Sequence, residues 1–341
     1  MCRSCKKEII VVKPEKNLDY LILEELKRKE GYASGEELAG KLAISRQALW
    51  KHIGKLTDKG YEIVATPHLG YKLISSPDKF YPWEVQHNLN TRFIGKEIRY
   101  EEVIDSTQDL IWQLGLEGAS EGAVVFAQAQ KRGRGRIQRR WISSPGGIYF
   151  SLLLRPNFLL VREVSQITLL IALGCLRGIK KATGIECSVK WPNDIFLKGK
   201  KLGGILCEMN AEADRIRFVV AGVGINVNTR DLPLQATSLF LNLKKKVSQV
   251  EIAKRILEEI EVCYRRAKRI GFSGLLKEWE QFCFLWGKMV KVKVFNRTIE
   301  GEAIGIDENG YLLLRCNSGL IEKISAGDIT KLSPELQRYN T

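Results

Sequence analysis

Between residues 130 and 141 the chain reads Gln130-Lys131-Arg132-Gly133-Arg134-Gly135-Arg136-Ile137-Gln138-Arg139-Arg140-Trp141, with six basic residues and no acid. Such a run is usually a solvated face or a nucleic-acid patch. Here the two glycines let the backbone fold close to a ligand. The alternating arginines present forked donors suited to carboxylate or phosphate. The run is not a Walker A loop, since no Gly-Lys-Ser/Thr closes it and no helix follows. Taken alone, it suits RNA as well as a small anionic ligand.

A second cluster runs Val189-Lys190-Trp191-Pro192-Asn193-Asp194 and then, past a hairpin turn near Gly199, Lys200-Lys201-Leu202-Gly203-Gly204-Ile205-Leu206. A buried lysine beside glycines is a suitable electrophile for a reacting carboxylate or phosphate. Turn chemistry with an exposed basic hairpin would read the same way. The segment Ala221-Gly222-Val223-Gly224-Ile225-Asn226-Val227-Asn228 places small residues in a strand, where a ligand or another strand can approach closely. Ile104-Asp105-Ser106-Thr107-Gln108 lies between a strand and a helix, where Asp, Ser and Thr more often cap the helix than bind anything.

Three segments must carry these groups: residues 1–76, 80–284 and 286–336. In the first, Leu18, Leu21, Ile22 and Leu26 recur at helical spacing. Ser34-Gly35-Glu36-Glu37 has the capping-box pattern, so a helix starts there and runs to about Leu42. After a turn at Ala43-Ile44-Ser45, Ser45 caps a helix from Arg46 to about Lys59, with Gly60 as its stop. Ala48, Leu49, Ile53 and Leu56 face inward, which leaves Arg46, Gln47, Trp50, Lys51 and Lys55 outside. A hairpin follows, turning at Thr66-Pro67-His68-Leu69-Gly70. The pattern is a winged helix-turn-helix, with Ser45, Arg46, Gln47, Trp50 and Lys51 as the DNA-facing residues and His68 on the wing. The middle segment alternates strand and helix, with long helices expected over 161–183 and 249–270. The last holds strands at 289–295, 298–306, 311–315 and 320–325 with a turn at Asp307-Glu308-Asn309-Gly310, the pattern of a small SH3-like barrel.

The chain has 341 residues, 45% apolar and 27% charged, which suits two or three globular domains and excludes a mainly disordered chain. The longest apolar stretches, near 152–160 and 167–176, fall short of the roughly 20 residues a membrane span needs. The first residues carry too short an apolar run for a secretory signal, so a cytoplasmic protein is expected. A formal net charge of +15 favours phosphate-bearing or acidic partners. The eight cysteines are scattered, and only Cys2 and Cys5 are close. No second pair or nearby His completes a zinc site, so a frayed reduced terminus is expected.

Taken in order, the winged helix, Asp-Ser-Thr, the GRGR loop, Lys-Trp-Pro-Asn-Asp, Lys201-Leu202-Gly203-Gly204-Ile205-Leu206 and Gly224-Ile225-Asn226 resemble the bifunctional biotin protein ligase and biotin operon repressor family over nearly the whole chain. The resemblance implies an α+β protein with a central mixed-sheet, class II synthetase-like ligase domain. It implies that the enzyme makes biotinyl-5′-AMP from biotin and ATP and moves biotin to a lysine of biotin carboxyl carrier protein. Mg²⁺ would arrive bridging the phosphates, with no metal held by the protein itself. By the match, Lys201, Arg134 and Arg136 are the catalytic group. Ser106, Thr107, Gln130, Gly133 and Gly204 join Arg134 and Lys201 around biotin. Arg136, Trp141, Lys190, Asn193, Asp194 and Asn226 surround the nucleotide. The loaded protein is expected to dimerise and bind operator DNA.

The chain departs from this pattern where Ile137-Gln138 stands in place of a residue followed by Gly, which bears on how the loop tail orders. The cover segment 229–237 holds no tryptophan, so it leaves the adenine-stacking residue unassigned. The alternatives are a ligand-sensing DNA-binding repressor with weak ligase activity and a lipoate-type ligase. An RNA-binding protein built on 131–140 ranks last, because no RNP-type aromatic strand accompanies the run.

Overall fold

A computed structural model describes residues 17–332, so Cys2, Cys5 and the last residues of the 286–336 segment lie outside the described residues. The chain divides into two compact units at Glu84/Val85. In the first, Asn17 caps α1 (Leu18–Arg28), its side chain accepting from the Asp19 N–H. The next two helices are α2 (Gly35–Lys41) and α3 (Arg46–Asp58). The capping box expected at Ser34 forms by half. Ser34 Oγ accepts from the Glu36 N–H, whereas the Glu37 carboxylate pairs with Lys29 and Lys41. Ser45 caps α3 through the Ala48 N–H. Gly60, at φ +98°, ends that helix, with its N–H donating to Thr57 O and that of Tyr61 to Leu56 O. Only glycine adopts such a φ without strain, and the two bonds satisfy carbonyls the helix would otherwise orphan.

Strands β1 (Glu62–Thr66) and β2 (Gly70–Ser75) pair antiparallel as the wing. Ile22, Leu23, Leu26, Leu38, Leu49, Ile53 and Leu56 form the core of this unit. Burying several aliphatic side chains, each stabilising by roughly 1.5–3 kcal/mol, sets the three helices against one another. The short α4 (Pro82–Gln86) was not evident in the sequence.

The second unit holds β3 (Ile98–Ile104), α5 (Thr107–Leu116), β4 (Val124–Gln130), β5 (Gly147–Leu154) and α6 (Ser165–Thr183). It continues with β6 (Ser188–Lys190), β7 (Asp194–Leu197), β8 (Lys200–Glu212), β9 (Arg215–Asn226), α7 (Leu239–Leu243), α8 (Gln249–Ile270) and α9 (Ser273–Phe282). The seven strands run β3-β4-β5-β9-β8-β7-β6, with β3 and β4 parallel and the other pairs antiparallel. The mixed sheet that the resemblance implies is present. Strand β5 is buried along its whole length, as a continuous apolar run dictates. The helix expected from Val161 instead begins at Ser165, after one 3-10 turn whose Leu160 N–H is held by Glu163.

Chain-terminal strands β10 (Lys288–Val294), β11 (Arg297–Ile306), β12 (Leu312–Arg315), β13 (Ile321–Ile324) and β14 (Asp328–Leu332) form a five-stranded antiparallel sheet ordered β13-β12-β11-β10-β14. Strand β14 was not among the strands expected from the sequence. Its pairing with β10 decides it. No described helix is long and apolar enough to cross a membrane.

Candidate active site

The carboxyl end of β3 and the start of α5 place Ser106 and Thr107 over the middle of the sheet. Ser106 occupies the cap position of α5 yet makes no cap bond. Its Oγ is buried and has no hydrogen-bond partner among the described residues. Thr107, one residue on, accepts the opposite fate. Its N–H donates to Gln130 Oε1 at 2.8 Å, and its Oγ1 lies 2.9 Å from Ser151 Oγ. Gln130 Nε2 donates to Ser143 Oγ at 2.8 Å, and Ser151 Oγ donates to Gln108 Oε1 at 3.0 Å. One buried hydroxyl is therefore left without a partner beside a network that is otherwise satisfied.

Ser106 is among the residues that line a cavity of about 340 Å³. Its polar floor is Ser106, Thr107 and Gln130, and its walls include Phe150, Ile205, Leu206 and Val223. Its mouth carries Arg136, Arg139, Asn193, Asp194, Lys201 and Asp328. Size, apolar walls and a few convergent polar groups suit a small ligand with a polar head and an anionic tail.

Trp141 lies across the glycines of β8 and β9. A Cβ at Gly224 would stand 2.5 Å from Trp141 Nε1, and one at Gly204 would stand 3.5 Å from the ring. Any side chain at 224 would displace the indole. Trp141 Nε1 is a second buried donor without a partner. Buried polar atoms are nearly always paired, and both orphans belong to residues that line the cavity.

Lys201 Nζ sits 2.7 Å from Asp194 Oδ1 and 5.3 Å from the centre of the Trp141 ring. The register of β7 on β8 puts Asp194 opposite Gly204, which carries the carboxylate back over the lysine. The backbone of Lys201 is clamped by the cover segment: its N–H donates to Gln235 O, and its carbonyl accepts from Thr237 N. Leu232, Pro233, Gln235 and Ala236 of that segment line the cavity. Asn226 ends β9 and donates to Thr237 O, holding the segment down.

The arginine loop folds as a narrow hairpin. Trp141 N donates to Gly133 O, Gly135 N to Arg139 O and Arg139 N to Arg136 O. At the tip Ile137 and Gln138 take φ of +52° and +55°. A β-branched residue there carries strain of order 1–3 kcal/mol. Arg136 Nη1 donates to Asn193 Oδ1 and Gly327 O and lies 3.5 Å from Asp328 Oδ1, while Arg139 pairs with the other oxygen of Asp328. Burial pulls the Arg136 guanidinium below its ordinary range, and the charges of Asp328 and Asp194 oppose that fall. Arg134 is held differently. Nη1 donates to Asp109 Oδ1 at 2.7 Å and Nη2 to Glu208 Oε1 at 2.5 Å. Burial lowers it, but these two carboxylates outweigh the burial and raise it overall.

Of the residues singled out in the sequence, the cavity brings together Ser106, Thr107, Gln130, Arg134, Arg136 and Trp141 from one side. From the other it gathers Asn193, Asp194, Lys201, Gly204 and Asn226. Gly133 and Lys190 do not line it. Gly133 sits at the hairpin base, where a Cβ would meet Trp141 O at 2.5 Å, and Lys190 donates to Ile329 O of β14. Desolvation lowers the Lys190 ammonium, with Asp194 opposing. Asp109, Arg139, Ser151, Glu208 and Asp328 were missed. Arg139 lies in the basic run but was given no role there; the other four belong to no motif, and Asp328 lies about 190 positions from the arginines it serves.

Burial pushes the thiols of Cys187, Cys207, Cys263 and Cys283 up to about 12, so none is a thiolate nucleophile at neutral pH. Among the described residues no group of three or more His, Cys, Asp and Glu side chains could hold a metal ion.

In the first unit Arg46, Gln47, Trp50 and Lys51 form the exposed face of α3, with Trp50 66% exposed. Ser45 commits its hydroxyl to the cap. His68 is exposed at the wing tip.

Comparison with known proteins agrees with these features. Residues 100–226 match the Biotin/lipoate A/B protein ligase family, residues 20–72 an HTH domain, and residues 286–332 the Biotin protein ligase C terminal domain. The Bifunctional ligase/repressor BirA of Bacillus subtilis is 40% identical over 305 residues, covering 87% of this chain and 93% of the relative. That of Escherichia coli is 29% identical over 312 residues, covering 89% and 94%. A solved structure, the biotin protein ligase from Aquifex aeolicus in complex with biotin and ATP, shares 30% identity with a TM-score of 0.61 over 69% of this chain and 99% of that one. With its helix-turn-helix, its ligase sheet and its C-terminal sheet all matched, the chain belongs to the family of bifunctional biotin ligase/repressors.

Proposed function

We propose that this protein activates biotin with ATP and transfers it to a lysine of biotin carboxyl carrier protein, and that its winged helix binds operator DNA when the adenylate is bound. The observation that carries the first part is the polarity of the cavity. An unpartnered Ser106 Oγ beside Thr107 and Gln130 suits the ureido ring at one end. Lys201, Arg136 and Arg139 at the other end suit the carboxylate and phosphate.

In the first step a biotin carboxylate oxygen attacks the α-phosphorus of ATP, forming the mixed anhydride and expelling pyrophosphate. Two anions must meet, and Lys201 and Arg136 would offset their repulsion. Released from Asp194, the Lys201 ammonium would face the reacting oxygens. Bound together with ATP, Mg²⁺ would supply further neutralisation of the phosphate charge beside Lys201 and Arg136. In the second step the acceptor amine attacks the acyl carbon, AMP leaves as an anion, and the amine loses a proton. Trp141, set against Gly204 and Gly224, is the candidate to stack on the adenine. A cytoplasmic setting is consistent with ATP and the carrier protein as substrates.

Repression would use the exposed face of α3, with Arg46 and Lys51 on phosphates and Gln47 and Trp50 nearer the base edges. A ligand-dependent homodimer would present two such helices to two half-sites. The test is incubation with labelled biotin, Mg-ATP and a carrier domain. Label should reach the carrier with the natural protein and not with Lys201→Ala. Failure of the natural protein to form any adenylate would put a DNA-binding ligand sensor ahead of the ligase.

A further inference from the structure

Charge is sorted within the first unit. The basic residues of α1 and α2 are paired with carboxylates, Lys27 with Glu84, Arg28 with Glu24 and Glu25, and Lys41 with Glu25 and Glu37. On α3 the pattern reverses. Arg46, Lys51 and Lys55 are exposed, and no carboxylate among the described residues pairs with any of them. Apolar surface is sorted in the same way. The large hydrophobic side chains that this unit exposes are Trp50 of α3 and Val64, Leu69 and Ile74 of the wing, and Trp50 is the most exposed at 66%.

Gly54 lies one turn on from Trp50 and on the same face of α3. It too is exposed, and a Cβ there would meet nothing within 4 Å. Glycine in a helix interior costs stability relative to alanine. Neither crowding nor a positive φ within the fold calls for it at this position.

We propose that Trp50 and Gly54 form one apolar reading surface. The indole packs on the C5-methyl of a thymine in the major groove, and the bare backbone at Gly54 lets the neighbouring base edges come close to the helix axis. This rests on the reading of α3 as the DNA-facing helix. The three unpaired cations favour a polyanion as what covers the face, because nucleic acid supplies the charge that the fold withholds. Within the major groove the thymine methyl is the apolar feature of the base edges. Gln47 can read a base by hydrogen bonds, whereas Trp50 offers mainly apolar area to a contact of that kind.

The probe is a duplex selected from a random-sequence pool by the natural protein with biotin and Mg-ATP, at a fixed salt concentration. Each thymine is then replaced in turn by uracil, which removes only the methyl group. At one position the natural protein should lose about fourfold in affinity for each half-site changed, the worth of one buried methyl. Trp50→Ala should lose at least about tenfold on the unmodified duplex and nothing further on the uracil duplex, because the methyl has already lost its partner. Gly54→Ala should slow amide exchange in α3 by about fivefold, as helix propensity dictates, yet weaken binding by about tenfold. Stability and affinity then move in opposite directions, which a merely structural glycine would not produce. Adenylate formation should stay within about twofold in both variants.

Uracil without effect at every position, or Trp50→Ala as sensitive to uracil as the natural protein, would overturn the thymine contact. Unchanged binding in Gly54→Ala would overturn the close approach. A Trp50→Ala protein whose oligomeric state changes without DNA, with affinity lost only in step, would make the face a contact between proteins and overturn the proposal. A natural protein that selects no duplex at all would sink the DNA-binding reading itself, and the proposal with it.

Discussion

Ser106 and Lys201 mark the two ends of one cavity, and each makes a separable prediction. Ser106 Oγ is buried and unpartnered, so its removal takes nothing from the unliganded protein except one polar group. Ser106→Ala should leave the melting temperature within a few degrees of the parent. It should raise the KM for biotin about five- to tenfold, the effect of one lost hydrogen bond to a buried ligand atom. A titration of biotin at saturating ATP measures this, and an unchanged KM would remove Ser106 from the biotin site. Lys201→Ala removes the cation proposed to face the reacting oxygens, and adenylate formation should fall by about 10²–10³-fold. The same change takes away the ion-pair partner of Asp194 and leaves only the charges of Arg136 and Lys190 to act on it, so the double variant Lys201→Ala/Asp194→Asn should recover part of the lost thermal stability but not activity.

Elements are held by contacts that single atoms can break. Helices α6 and α8 cross closely where Gly174 and Gly178 face Ile256 and Ile260. A Cβ at Gly178 would stand 2.5 Å from the Ile256 Cα. Because backbone cannot move aside cheaply, Gly178→Ala should destabilise the second unit by about 1–3 kcal/mol, seen as a lower denaturation midpoint. In the first unit Asp19 of α1 accepts from His52 of α3 and pairs with Lys59 just beyond that helix. Burial raises the Asp19 carboxyl, but the bonds from Lys59 and His52 outweigh it and bring it below its ordinary 3.8. A depressed folded-state value means stability that is present above the unfolded value and lost as pH falls through the folded one. Asp19→Asn should therefore weaken the helix bundle at pH 7, and the gap between variant and parent should close below about pH 4. Equal loss at pH 7 and pH 3 would mean that packing, not charge, is what Asp19 supplies.

At the scale of the whole molecule the two activities should come apart. Arg46→Ala/Lys51→Ala alters only exposed side chains of α3, so adenylate formation should be unchanged while DNA binding weakens. If both residues contact phosphates, the slope of log binding constant against log salt should fall by about two. Gel shifts with biotin and ATP at several salt concentrations would show this, and an unchanged slope would move the DNA contact elsewhere. The converse variant, Lys201→Ala, tests whether repression needs the adenylate.

Local rules determined the helix-turn-helix by themselves. The period of Leu49, Ile53 and Leu56, the Ser45 cap and the Gly60 stop act within one or two turns, and sequence carries such short-range information in full. The order of motifs likewise marked Ser106, Gln130, Asp194, Lys201 and Asn226 before any fold was known. Tertiary structure alone decided the partners. Ser106 was legible as a cap, and only the packing of α5 over β5 and β9 shows its hydroxyl left free. Arg134 and Arg136 look alike two positions apart. One meets Asp109 and Glu208, and the other meets Asp328 on a strand that the sequence did not announce. Lys190 was placed with the nucleotide by its motif, yet it donates to Ile329 O. Charge pairing depends on distances between residues far apart in the chain, and neither period nor spacing encodes those distances.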